Sequence, residues 1–529
     1  MPEYTLMQHQ TEGVKFLDDH DGIAALLYDP GVGKTGTTLA WIDLMAKRGA
    51  ASGDGEFRVL VVAPLAATDT WVFQSVPFMD SVVKARMLQG STLDVLNQIS
   101  VSGNWKTVAD AKIKVDHAGP NLNQHVTILS VSAGAISSYC DDRTKTISVL
   151  RAVRKFQPHL IVVDESHIIK SATSNISKAL YQMGQLAPHR IILTGTVNPL
   201  SILDCYGQWR FLAPWTFSDQ NTEPFVKKPL TMTRKQAASI RPWPWGRFKD
   251  RYTYKGGYKG KGIGGINPDM EDDLRNRIAE RSHVVRKEDA LDLPPVTDVD
   301  VHVQLSAKEA AAYKEMAEEL LLQLESGELL EAPNALAKMM KLRQIAAGFV
   351  RDTENDVVHH IGDSMRETAK EVAEVTLAGE HRLVVFGYFR RECDLLTKML
   401  TRKGIVVRTV TGATKASDRL AIRRHFADVS GNLDAENKKR TILVAQQRTM
   451  SLSVNELVVA SNAIFTSQSE QRVDYVQSRD RLHRKGQTLP VTFWNLFTPG
   501  LIGEIMIERH KDRGSMEKAL LNHIRTFAR

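Results

Sequence analysis

The sequence predicts two α/β lobes, each a parallel sheet flanked by helices, with a helical and loop insertion between them. Short apolar runs alternate with helix-length segments from about residue 23, which is typical of a parallel sheet that helices cover on both faces. A second series of the same kind begins near residue 381. At 529 residues the chain is also too long for one hydrophobic core and suits roughly two to four domains.

The composition is that of a globular protein, with 43% hydrophobic and 25% charged residues. Lys and Arg outnumber Asp and Glu by 69 to 61, a mild excess that permits a polyanionic partner without requiring one. Cys140, Cys205 and Cys393 have no metal-ligand spacing, so we expect no zinc site and a reducing, cytoplasmic compartment. No apolar run approaches the roughly 18 residues of a membrane span, and the N-terminus lacks a signal-peptide pattern, so we expect no membrane association.

The first element of the chain is a predicted helix over Leu6–Leu17, whose apolar residues recur at helical spacing. Gln10 lies near its start. An adenine edge requires one hydrogen-bond donor and one acceptor, and the side-chain amide of Gln10 has both, so Gln10 is a candidate adenine-binding residue. A solvent-exposed glutamine is the alternative at this position.

The next stretch has the features of a phosphate-binding loop. Ile23–Leu27 is an apolar run that predicts a buried strand, and Gly31 and Gly33 let the following turn bring backbone N–H groups against an anion. The usual eight-residue pattern begins with glycine, where this chain has Tyr28. An ordinary glycine-rich turn is the alternative for the loop taken alone.

A helix is predicted to begin directly after this turn, at Lys34. Its N-terminal partial charge and the Lys34 ammonium both favour phosphate, and the Thr35 hydroxyl is a candidate ligand of Mg²⁺. The predicted ATP-binding residues are Gln10, Asp29, Pro30, Gly31, Val32, Gly33, Lys34, Thr35 and Gly36.

Two adjacent carboxylates follow another apolar strand, Leu160–Val163. Phosphoryl transfer to water requires one carboxylate to hold Mg²⁺ and another to orient the water, and Asp164 and Glu165 fit these two roles. The predicted metal ligands are therefore Thr35 and Asp164. The phosphate loop and the carboxylate pair together predict a nucleoside-triphosphate hydrolase that uses ATP and Mg²⁺.

Three further strands of the first lobe are predicted to end in proline or small polar residues: Arg58–Pro64, Val126–Ser130 and Arg190–Thr196. Ligands of open α/β sheets bind at the carboxyl ends of the strands. Backbone N–H and hydroxyl groups at these ends are therefore candidates for contacts to a second ligand.

Residues 215–295 interrupt the alternation of strands and helices. Within them, Arg241–Lys261 contains seven basic and six aromatic residues. Interleaved cations and rings can hold phosphates and stack on bases, but the rings can equally pack on the host domain, so both interpretations stay open. Helices predicted over Lys308–Leu330 and Asn334–Ala347 connect this region to the second lobe.

The second lobe is predicted to contain the strands His381–Tyr388, Ile405–Gly412, Arg440–Ala445, Asn462–Phe465 and Pro490–Phe497, with no second phosphate loop. Gln477–Gln487 predicts a helix that carries Arg481 and Arg484 on one face, at positions i and i+3. Two guanidinium groups can grip a γ-phosphate and stabilise charge in the transition state. A solvated basic helix is the alternative.

Taken in order, these motifs resemble the Swi/Snf-type branch of superfamily 2 helicase-like ATPases, especially the compact bacterial or viral members similar to the annealing-helicase subgroup. The resemblance extends from about residue 4 to about residue 512, and Asp480–Gln487 is its most specific motif. The other motifs that carry it are Leu6–Gly13, Asp29–Thr35, Val61–Leu65, Asp164–His167, Leu193–Thr196, Val284–Pro295, Leu342–Gln344, and Thr411–Thr414 with Arg419.

The resemblance implies two RecA-like lobes with ATP·Mg²⁺ between them and duplex or branched DNA bound through its backbone across both. The catalytic residues that it implies are Lys34, Asp164, Glu165, Gln477, Arg481 and Arg484. The DNA-binding residues that it implies are Pro64, Ser130, Thr194, Thr196, Thr411, Gly412 and Asn455.

The expected domains follow the positions of these motifs. They are an ATP-binding lobe (1–215), an insertion with the aromatic-basic loop (216–295), a helical linker or protrusion (296–375), a second lobe (376–512) and a C-terminal helix (513–529).

The resemblance implies a DNA-dependent ATPase that translocates on double-stranded DNA, with reannealing, branch migration or protein displacement as its output. A strand-unwinding helicase on DNA or RNA is the alternative within the enzyme class. The family's motif before the arginines normally contains glycines, whereas residues 446–457 contain none. This difference leaves open a third function, a nucleotide-gated DNA clamp with little turnover. The implied location is a bacterial or virus-infected host cytoplasm, and the nucleoid when DNA is bound.

Overall fold

The computed structural model describes residues 5–52, 55–88, 94–95, 98–99, 114–117, 121–140, 143–195, 202–219, 241–256, 263–325, 332–352, 357–427, 440–450 and 456–511. The chain divides into two compact units, Met1–Leu291 and Asp292–Arg529. Thr196, Asn455 and the predicted C-terminal helix lie outside the described residues. Within the described part, the chain has no helix that is long and apolar enough to cross a membrane.

The first unit is built on an eight-stranded sheet. Its strands are β1 (Ile23–Tyr28), β2 (Glu56–Ala63), β3 (Ser81–Met87), β4 (Lys114–His117), β5 (Asn121–Ser132), β6 (Leu160–Asp164), β7 (His189–Leu193) and β10 (Ser282–Val285). Their order is β10-β1-β7-β6-β2-β5-β3-β4. Every pairing is parallel except that of β3 with β4. Two short strands, β8 (Thr253–Lys255) and β9 (Ile263–Ile266), form a separate antiparallel pair.

Alternate residues of the central strands belong to two separate apolar layers. Leu26 and Val61 pack in one layer, whereas Ala25 and Leu60 pack in the other. Successive strand residues point to opposite faces, so the sheet is covered on both sides. The predicted doubly covered parallel sheet is therefore confirmed.

Helices connect the strands of the first unit. They are α1 (Gln8–Asp19), α2 (Lys34–Ser52), α3 (Thr68–Phe73), α4 (Ser75–Phe78), α5 (Ala133–Tyr139), α6 (Arg143–Phe156), α7 (Asn175–Gly184), α8 (Cys205–Leu212), α9 (Trp245–Tyr252), α10 (Pro268–Ala279) and α11 (Lys287–Ala290). The predicted helix around Gln10 is confirmed as α1.

The second unit is built on a six-stranded, wholly parallel sheet. Its strands are β11 (Val296–His302), β14 (Arg382–Gly387), β15 (Ile405–Val410), β16 (Arg440–Gln446), β17 (Asn462–Phe465) and β18 (Val491–Phe497), in the order β11-β18-β17-β14-β16-β15. Val384 and Leu443 pack in one apolar layer, and Val385 and Val444 pack in the other, so this sheet is also covered on both faces. The strands β12 (Phe349–Asp352) and β13 (Val357–His360) form an antiparallel pair.

The helices of the second unit include the two long helices that the sequence predicts near its start. They are α12 (Ala307–Glu325), α13 (Ala332–Ala346), α14 (Ser364–Gly379), α15 (Arg390–Leu400), α16 (Ala416–Ala427), α17 (Gln447–Met450), α18 (Arg472–Arg479) and α19 (Ile502–Lys511). Side chains of α12, α13 and α19, such as Tyr313, Leu342 and Ile502, form a separate apolar cluster.

Four strands of the two main sheets, β3, β4, β10 and β11, lie where the sequence predicts none, as do the four strands of the two antiparallel pairs. Lys84 and Arg86 interrupt the apolar pattern of β3. The strands β10 and β11 lie within the predicted insertion and linker, but each pairs at the edge of a main sheet. An edge strand is paired on one side only and is often short or partly charged, so it lacks the continuous apolar run by which the central strands were recognised. The proposed domain boundaries stay predictions.

The predicted helix over Gln477–Gln487 is wrong in its extent. The helix α18 ends at Arg479, and both Arg481 and Arg484 lie in the turns that follow it. The two arginines are therefore placed by a loop and not by the face of a helix.

Tertiary contacts explain why the helix stops. Leu482 is fully buried in the core of the second unit. The Gln487 amide nitrogen donates to the carbonyl oxygens of Leu482, Ala460 and Val458 at 3.2, 2.9 and 3.0 Å. Gly486 has φ of +100°, a left-handed conformation that glycine adopts without steric cost and that is incompatible with a helix continuing to Gln487.

Candidate functional site

The predicted phosphate loop joins β1 to α2. Gly31 and Gly33 have φ of +86° and +92°, so both adopt the left-handed conformation that favours glycine. Tyr28, which stands where the usual pattern begins with glycine, is the last residue of β1 and has ordinary strand geometry. The turn therefore needs glycine at positions 31 and 33 and not at position 28.

Lys34 is the first residue of α2 and lies against the loop. Its ammonium donates to the carbonyl oxygen of Tyr28 at 2.8 Å and to that of Asp29 at 3.5 Å. The first N–H groups of a helix have no acceptor within the helix, so α2 presents backbone donors as well as its partial positive charge at this point. A cation and backbone donors at one turn are the groups that bind a polyphosphate.

Gln10 is fully buried and holds the loop from the side of α1. Its amide oxygen accepts from the Met7 N–H at 2.9 Å, and its amide nitrogen donates to the Gly33 carbonyl at 3.3 Å. A Cβ atom on Gly33 would lie 2.3 Å from that nitrogen, so only glycine fits here. The oxygen and the nitrogen of the Gln10 amide thus both contact the protein. A contact of Gln10 to adenine stays a prediction.

The other side of the loop is fixed by the edge strand β10. The Asp29 N–H donates to the Val285 carbonyl at 3.0 Å, and the Asp29 carboxylate accepts from the Lys287 N–H at 2.8 Å. The Tyr28 hydroxyl lies 2.9 Å from Nδ1 of His283, and burial raises the pKa of this tyrosine. These contacts give the predicted ATP-binding residue Asp29 a structural role, because its carboxylate links the loop to the backbone that follows β10.

Close packing also restricts the residues that flank the loop. A Cβ atom on Gly36 would lie 2.4 Å from the Phe78 ring, and one on Gly195 would lie 2.9 Å from Cδ of Pro30. Val32 is fully buried, and its carbonyl oxygen lies 2.8 Å from Nε2 of His9. Only Gly31 and Gly33 need glycine for conformation, whereas Gly36 needs it for space.

Asp164 is the last residue of β6 and is buried. One carboxylate oxygen accepts from the indole N–H of Trp71 and the other from the Glu165 N–H, both at 2.9 Å. Burial, and next the nearby charge of Glu165, raise the pKa of Asp164 to about 6, although the Trp71 hydrogen bond and Lys34 act in the opposite direction.

Glu165 has φ of +50° and ψ of 55°, which is uncommon for a residue other than glycine. Its side chain is 16% exposed, and its Oε2 lies 3.3 Å from Nδ1 of His167. Backbone strain of this kind costs of order 1–3 kcal/mol and clusters at functional sites. The strained turn directs the two neighbouring carboxylates differently, with Asp164 inside the core and Glu165 at its border.

The sheet register brings the candidate ATP-binding groups to one edge. Leu193 of β7 is aligned with Leu26 of β1 on one side and with Asp164 of β6 on the other. The phosphate loop and the carboxylate pair therefore both follow the carboxyl ends of neighbouring strands, where open α/β sheets bind ligands.

The donor set fits a Mg²⁺ ion that is shared with a nucleotide. Among the described residues, no group of three or more His, Cys, Asp or Glu side chains could hold a metal alone. Mg²⁺ usually binds one or two carboxylates or hydroxyls together with substrate phosphates and water. Asp164 and the hydroxyl of Thr35 are the groups of this kind that the sequence predicts.

The predicted DNA-binding residues of the first unit differ in exposure. Pro64 directly follows β2 and is half-buried. Ser130 is fully buried inside β5, because this strand continues two residues beyond its predicted end, to Ser132. Thr194 is also fully buried, and its N–H donates to the Leu26 carbonyl at 3.2 Å. All three DNA contacts stay predictions, and a contact by Ser130 or Thr194 would require their surroundings to move.

Most of the described aromatic rings of the insertion pack on the first unit. Trp243, Phe248 and Tyr252 are buried, and the Trp243 indole N–H donates to the Asp219 carboxylate at 3.0 Å. Tyr254 is 52% exposed. Most of these rings thus serve the core, and residues 257–261 lie outside the described part of the chain.

In the second unit, the predicted DNA-binding residues Thr411 and Gly412 form a turn after β15. The Thr411 N–H donates to the Thr414 hydroxyl at 3.0 Å, and the Arg419 guanidinium donates to the Thr414 and Gly412 carbonyls at 2.7 and 3.2 Å. Arg419 therefore has a structural role in shaping this turn.

Two adjacent glutamines close the carboxyl edge of the second sheet. Gln446, at the end of β16, accepts from the Gly412 N–H at 3.1 Å and donates to the Tyr388 carbonyl at 2.8 Å. Gln447 donates to the Ser467 carbonyl at 3.1 Å and accepts from the Ser469 N–H at 2.7 Å. The glycine-free segment thus begins with Gln446, which joins the loops after β15 and β14, and Gln447, which binds the loop after β17 at two points.

A further polar cluster links α13 to the same edge. The buried Arg343 donates to the Glu470 carboxylate at 2.8 Å and also to the Gln468 carbonyl, and its guanidinium lies 4.0 Å from the centre of the Tyr388 ring. The Tyr388 hydroxyl donates to the other Glu470 oxygen at 3.1 Å. Although burial opposes it, the nearby Arg343 charge lowers the pKa of Glu470.

Gln477, Arg481 and Arg484 are the predicted catalytic residues of the second unit. Gln477 and Arg481 are buried and Arg484 is half-buried. Burial lowers the pKa of Arg484, whereas the nearby charges of Asp480 and Glu456 raise it. Their catalytic roles stay predictions.

A family comparison agrees with this geometry. The SNF2-related domain matches residues 9–348, which is more than half of the chain. The chain belongs to the SNF2-related family of helicase-like ATPases. The match includes the phosphate loop and the carboxylate pair, and it ends before the glutamines and arginines of the second sheet.

Individual relatives of this SNF2-related chain are distant. It is 23% identical to the "Probable ATP-dependent DNA helicase CHR12" of Arabidopsis thaliana, with 98% of this chain and 42% of that protein covered. It is 21% identical to the "ATP-dependent DNA helicase DDM1" of the same plant, with 98% and 62% covered. The chain thus spans less than two thirds of these relatives. The solved "Sulfolobus solfataricus SWI2/SNF2 ATPase core in complex with dsDNA" has a TM-score of 0.38 and 18% identity, covering 96% of this chain and 92% of that one.

Sequence reasoning missed several polar residues of this SNF2-related chain that support its candidate sites. These residues are Trp71, Gln446, Gln447 and Glu470. No spacing pattern in the sequence indicates which residues they contact. Each makes its contact with a residue at least 20 positions away. The one available signal was the repeated glutamine at 446–447, directly after an apolar strand.

Proposed function

We propose that this SNF2-related chain hydrolyses ATP with Mg²⁺ and uses the energy to translocate on double-stranded DNA. The observation that carries the ATPase part is the arrangement of the Gly31–Lys34 loop and the Asp164–Glu165 pair after neighbouring strands of one sheet. The family match supports the same chemistry.

Each proposed ATPase residue has one role. The Lys34 ammonium and the backbone donors of the loop bind the phosphates, and the loop carbonyls that now hold Lys34 restrict its position. Asp164 and the Thr35 hydroxyl would hold Mg²⁺, which neutralises phosphate charge when bound. Glu165 orients the attacking water and accepts its proton. A strained backbone at Glu165 supports this role, because it keeps the carboxylate separate from buried Asp164.

We propose that Arg481 and Arg484 stabilise the charge that develops on the γ-phosphate during hydrolysis. An arginine in this role makes charge-assisted hydrogen bonds that are strongest in the transition state. The Gln487 contacts that hold the arginine turn support this role, because the turn has a fixed shape without being helical.

DNA is the proposed partner for three reasons. The motif order resembles a branch that acts on duplex DNA, two relatives are named as DNA helicases, and the chain has a mild basic excess. We further propose that the chain belongs with the compact annealing-helicase-like members, so that reannealing, branch migration or protein displacement is its output. Duplex or branched DNA, contacted through the backbone, would then be the substrate.

Two DNA assays separate this proposal from its alternatives. A translocase displaces the third strand of a DNA triplex in an ATP-dependent manner but leaves a forked duplex intact. A strand-unwinding helicase separates the fork, on DNA or RNA. A nucleotide-gated clamp does neither, although it binds duplex DNA more tightly with ATP. Triplex displacement without fork unwinding is the expected result, and fork unwinding or the absence of both activities would contradict the proposal.

A further inference from the structure

Trp71 lies in α3, a short helix that begins soon after the end of β2. Its side chain is fully buried, and its indole N–H donates to Oδ2 of Asp164 at 2.9 Å. The two residues are 93 positions apart, so no local sequence constraint brings them together. A buried indole N–H that contacts a buried carboxylate is costly to separate, because both groups would lose their partner inside the core.

The hydrogen bonds of Asp164 fix the direction of its carboxylate. Oδ2 accepts from Trp71 and Oδ1 accepts from the Glu165 N–H, at 2.9 Å each. One donor comes from a rigid ring and the other from the backbone, so the carboxylate cannot rotate without breaking at least one bond. Each carboxylate oxygen has two lone-pair directions, and each therefore retains one for a metal ion or its water.

We propose that Trp71 is a positioning residue that holds the Asp164 carboxylate in the orientation that binds Mg²⁺. The proposal rests on the function given to Asp164 above. Residues that hydrogen-bond a metal ligand orient it, and their loss typically costs about 10- to 100-fold in metal affinity or activity. Trp71 would act through Asp164 and would not itself touch the nucleotide.

The first unit contains a matched control for this role. Trp41 in α2 is also fully buried and belongs to the same apolar layer as Trp71. Within the described part of the chain, its indole nitrogen has no hydrogen-bond partner. Trp41→Phe and Trp71→Phe therefore remove similar core volume, and only Trp71→Phe removes a hydrogen bond to Asp164.

The experiment measures equilibrium binding of fluorescently labelled ADP to each full-length protein while Mg²⁺ is titrated, with EDTA as the metal-free reference. For Trp71→Phe we expect the Mg²⁺ midpoint to rise about 10- to 100-fold, with little change in binding in EDTA. Trp41→Phe should keep the wild-type midpoint. Thermal unfolding of both variants reports the shared loss of core packing.

The outcomes separate this inference from the proposed function. Equal midpoints for the two variants would overturn the role of Trp71, as would a Trp71→Phe protein that loses binding equally in EDTA. If ADP binding by the wild type did not depend on Mg²⁺, the metal role of Asp164 would be overturned, and the inference with it. If Trp71→Phe does not fold, 3-benzothienylalanine at position 71 keeps the ring volume, lacks the N–H and must give the same shift.

Discussion

The carboxyl edges of the two sheets carry different chemistry. The first edge presents ions and strained backbone: Lys34, Asp164 and Glu165 beside two left-handed glycines. At the second edge, the loops are joined mainly by neutral amides. The side chains of Gln446 and Gln447 hydrogen-bond to the backbone of these loops. We therefore propose that the first edge binds and hydrolyses the nucleotide and that the second edge positions groups that assist the reaction.

The largest expected effect tests whether the second unit contributes directly to the reaction. Arg484→Ala should lower DNA-stimulated turnover by about 10³ to 10⁵, the value of a supplied arginine in related triphosphatases, because it stabilises charge that develops in the transition state. ATP affinity should change little. Turnover and nucleotide affinity measured on the same preparation check this expectation.

Arg402→Ala is the control for that variant. Arg402 is an exposed arginine of the second unit that pairs with Glu374. Its loss should leave turnover near the wild-type rate. If Arg484→Ala also kept most of its stimulated rate, the arginine turn would be only a surface feature.

The next effect concerns the first edge. Glu165→Gln should keep ATP binding and reduce turnover by about 10²- to 10⁴-fold, because the amide preserves shape but cannot accept a proton from water. The variant should accumulate as a complex with ATP and DNA, which filter binding can measure. Hydrolysis at the wild-type rate would show that another residue activates the water.

A smaller effect tests the positioning role of the second edge. Gln446→Met keeps the side-chain length but removes the bonds to Gly412 and Tyr388, each with a net value of about 0.5–1.5 kcal/mol. The stimulation of ATPase activity by DNA should fall by about tenfold, while the DNA-free rate is retained. Rates across a DNA titration measure both quantities.

Gln344→Met is the matched control for that comparison. Gln344 also accepts from a backbone N–H, that of Arg351 at 2.9 Å. This bond does not involve the loops that Gln446 joins. It should leave the DNA stimulation unchanged. Equal losses in the two variants would mean that the amide contacts of Gln446 have no particular role.

The smallest effect concerns the aromatic-basic segment. Lys255 is exposed next to the exposed Tyr254, so Lys255→Ala should reduce the slope of log affinity against log salt by about 0.9 if Lys255 contacts one phosphate. Lys178→Ala, an exposed lysine on α7, should leave the slope unchanged. An unaltered slope for Lys255→Ala would assign this segment to packing alone.

The sequence allowed much of the first edge to be predicted. Glycines at positions 31 and 33, Lys34 and the Asp164–Glu165 pair are local signals, because each motif follows its strand within a few residues. The central strands were likewise recognisable from their continuous apolar runs. The edge strands β10 and β11 were not, since pairing on one side leaves a short or partly charged pattern.

The second edge shows why the remainder could not be predicted. The spacing of Arg481 and Arg484 suits a helix, yet burial of Leu482 and the contacts of Gln487 end the helix at Arg479. Local spacing cannot report a contact with a distant loop. The same limitation hid the partners of Gln446.

The central claim is that the first edge is an ATPase site whose turnover depends on duplex DNA. The most direct measurement compares ATP hydrolysis by the wild type and by Lys34→Ala, each alone and with duplex DNA, single-stranded DNA or RNA. We expect duplex DNA to raise the wild-type rate most, and Lys34→Ala to stay at background throughout because it loses the cation that binds the phosphates. A wild-type rate that no DNA changes, or a Lys34→Ala protein that is stimulated like the wild type, would contradict the claim.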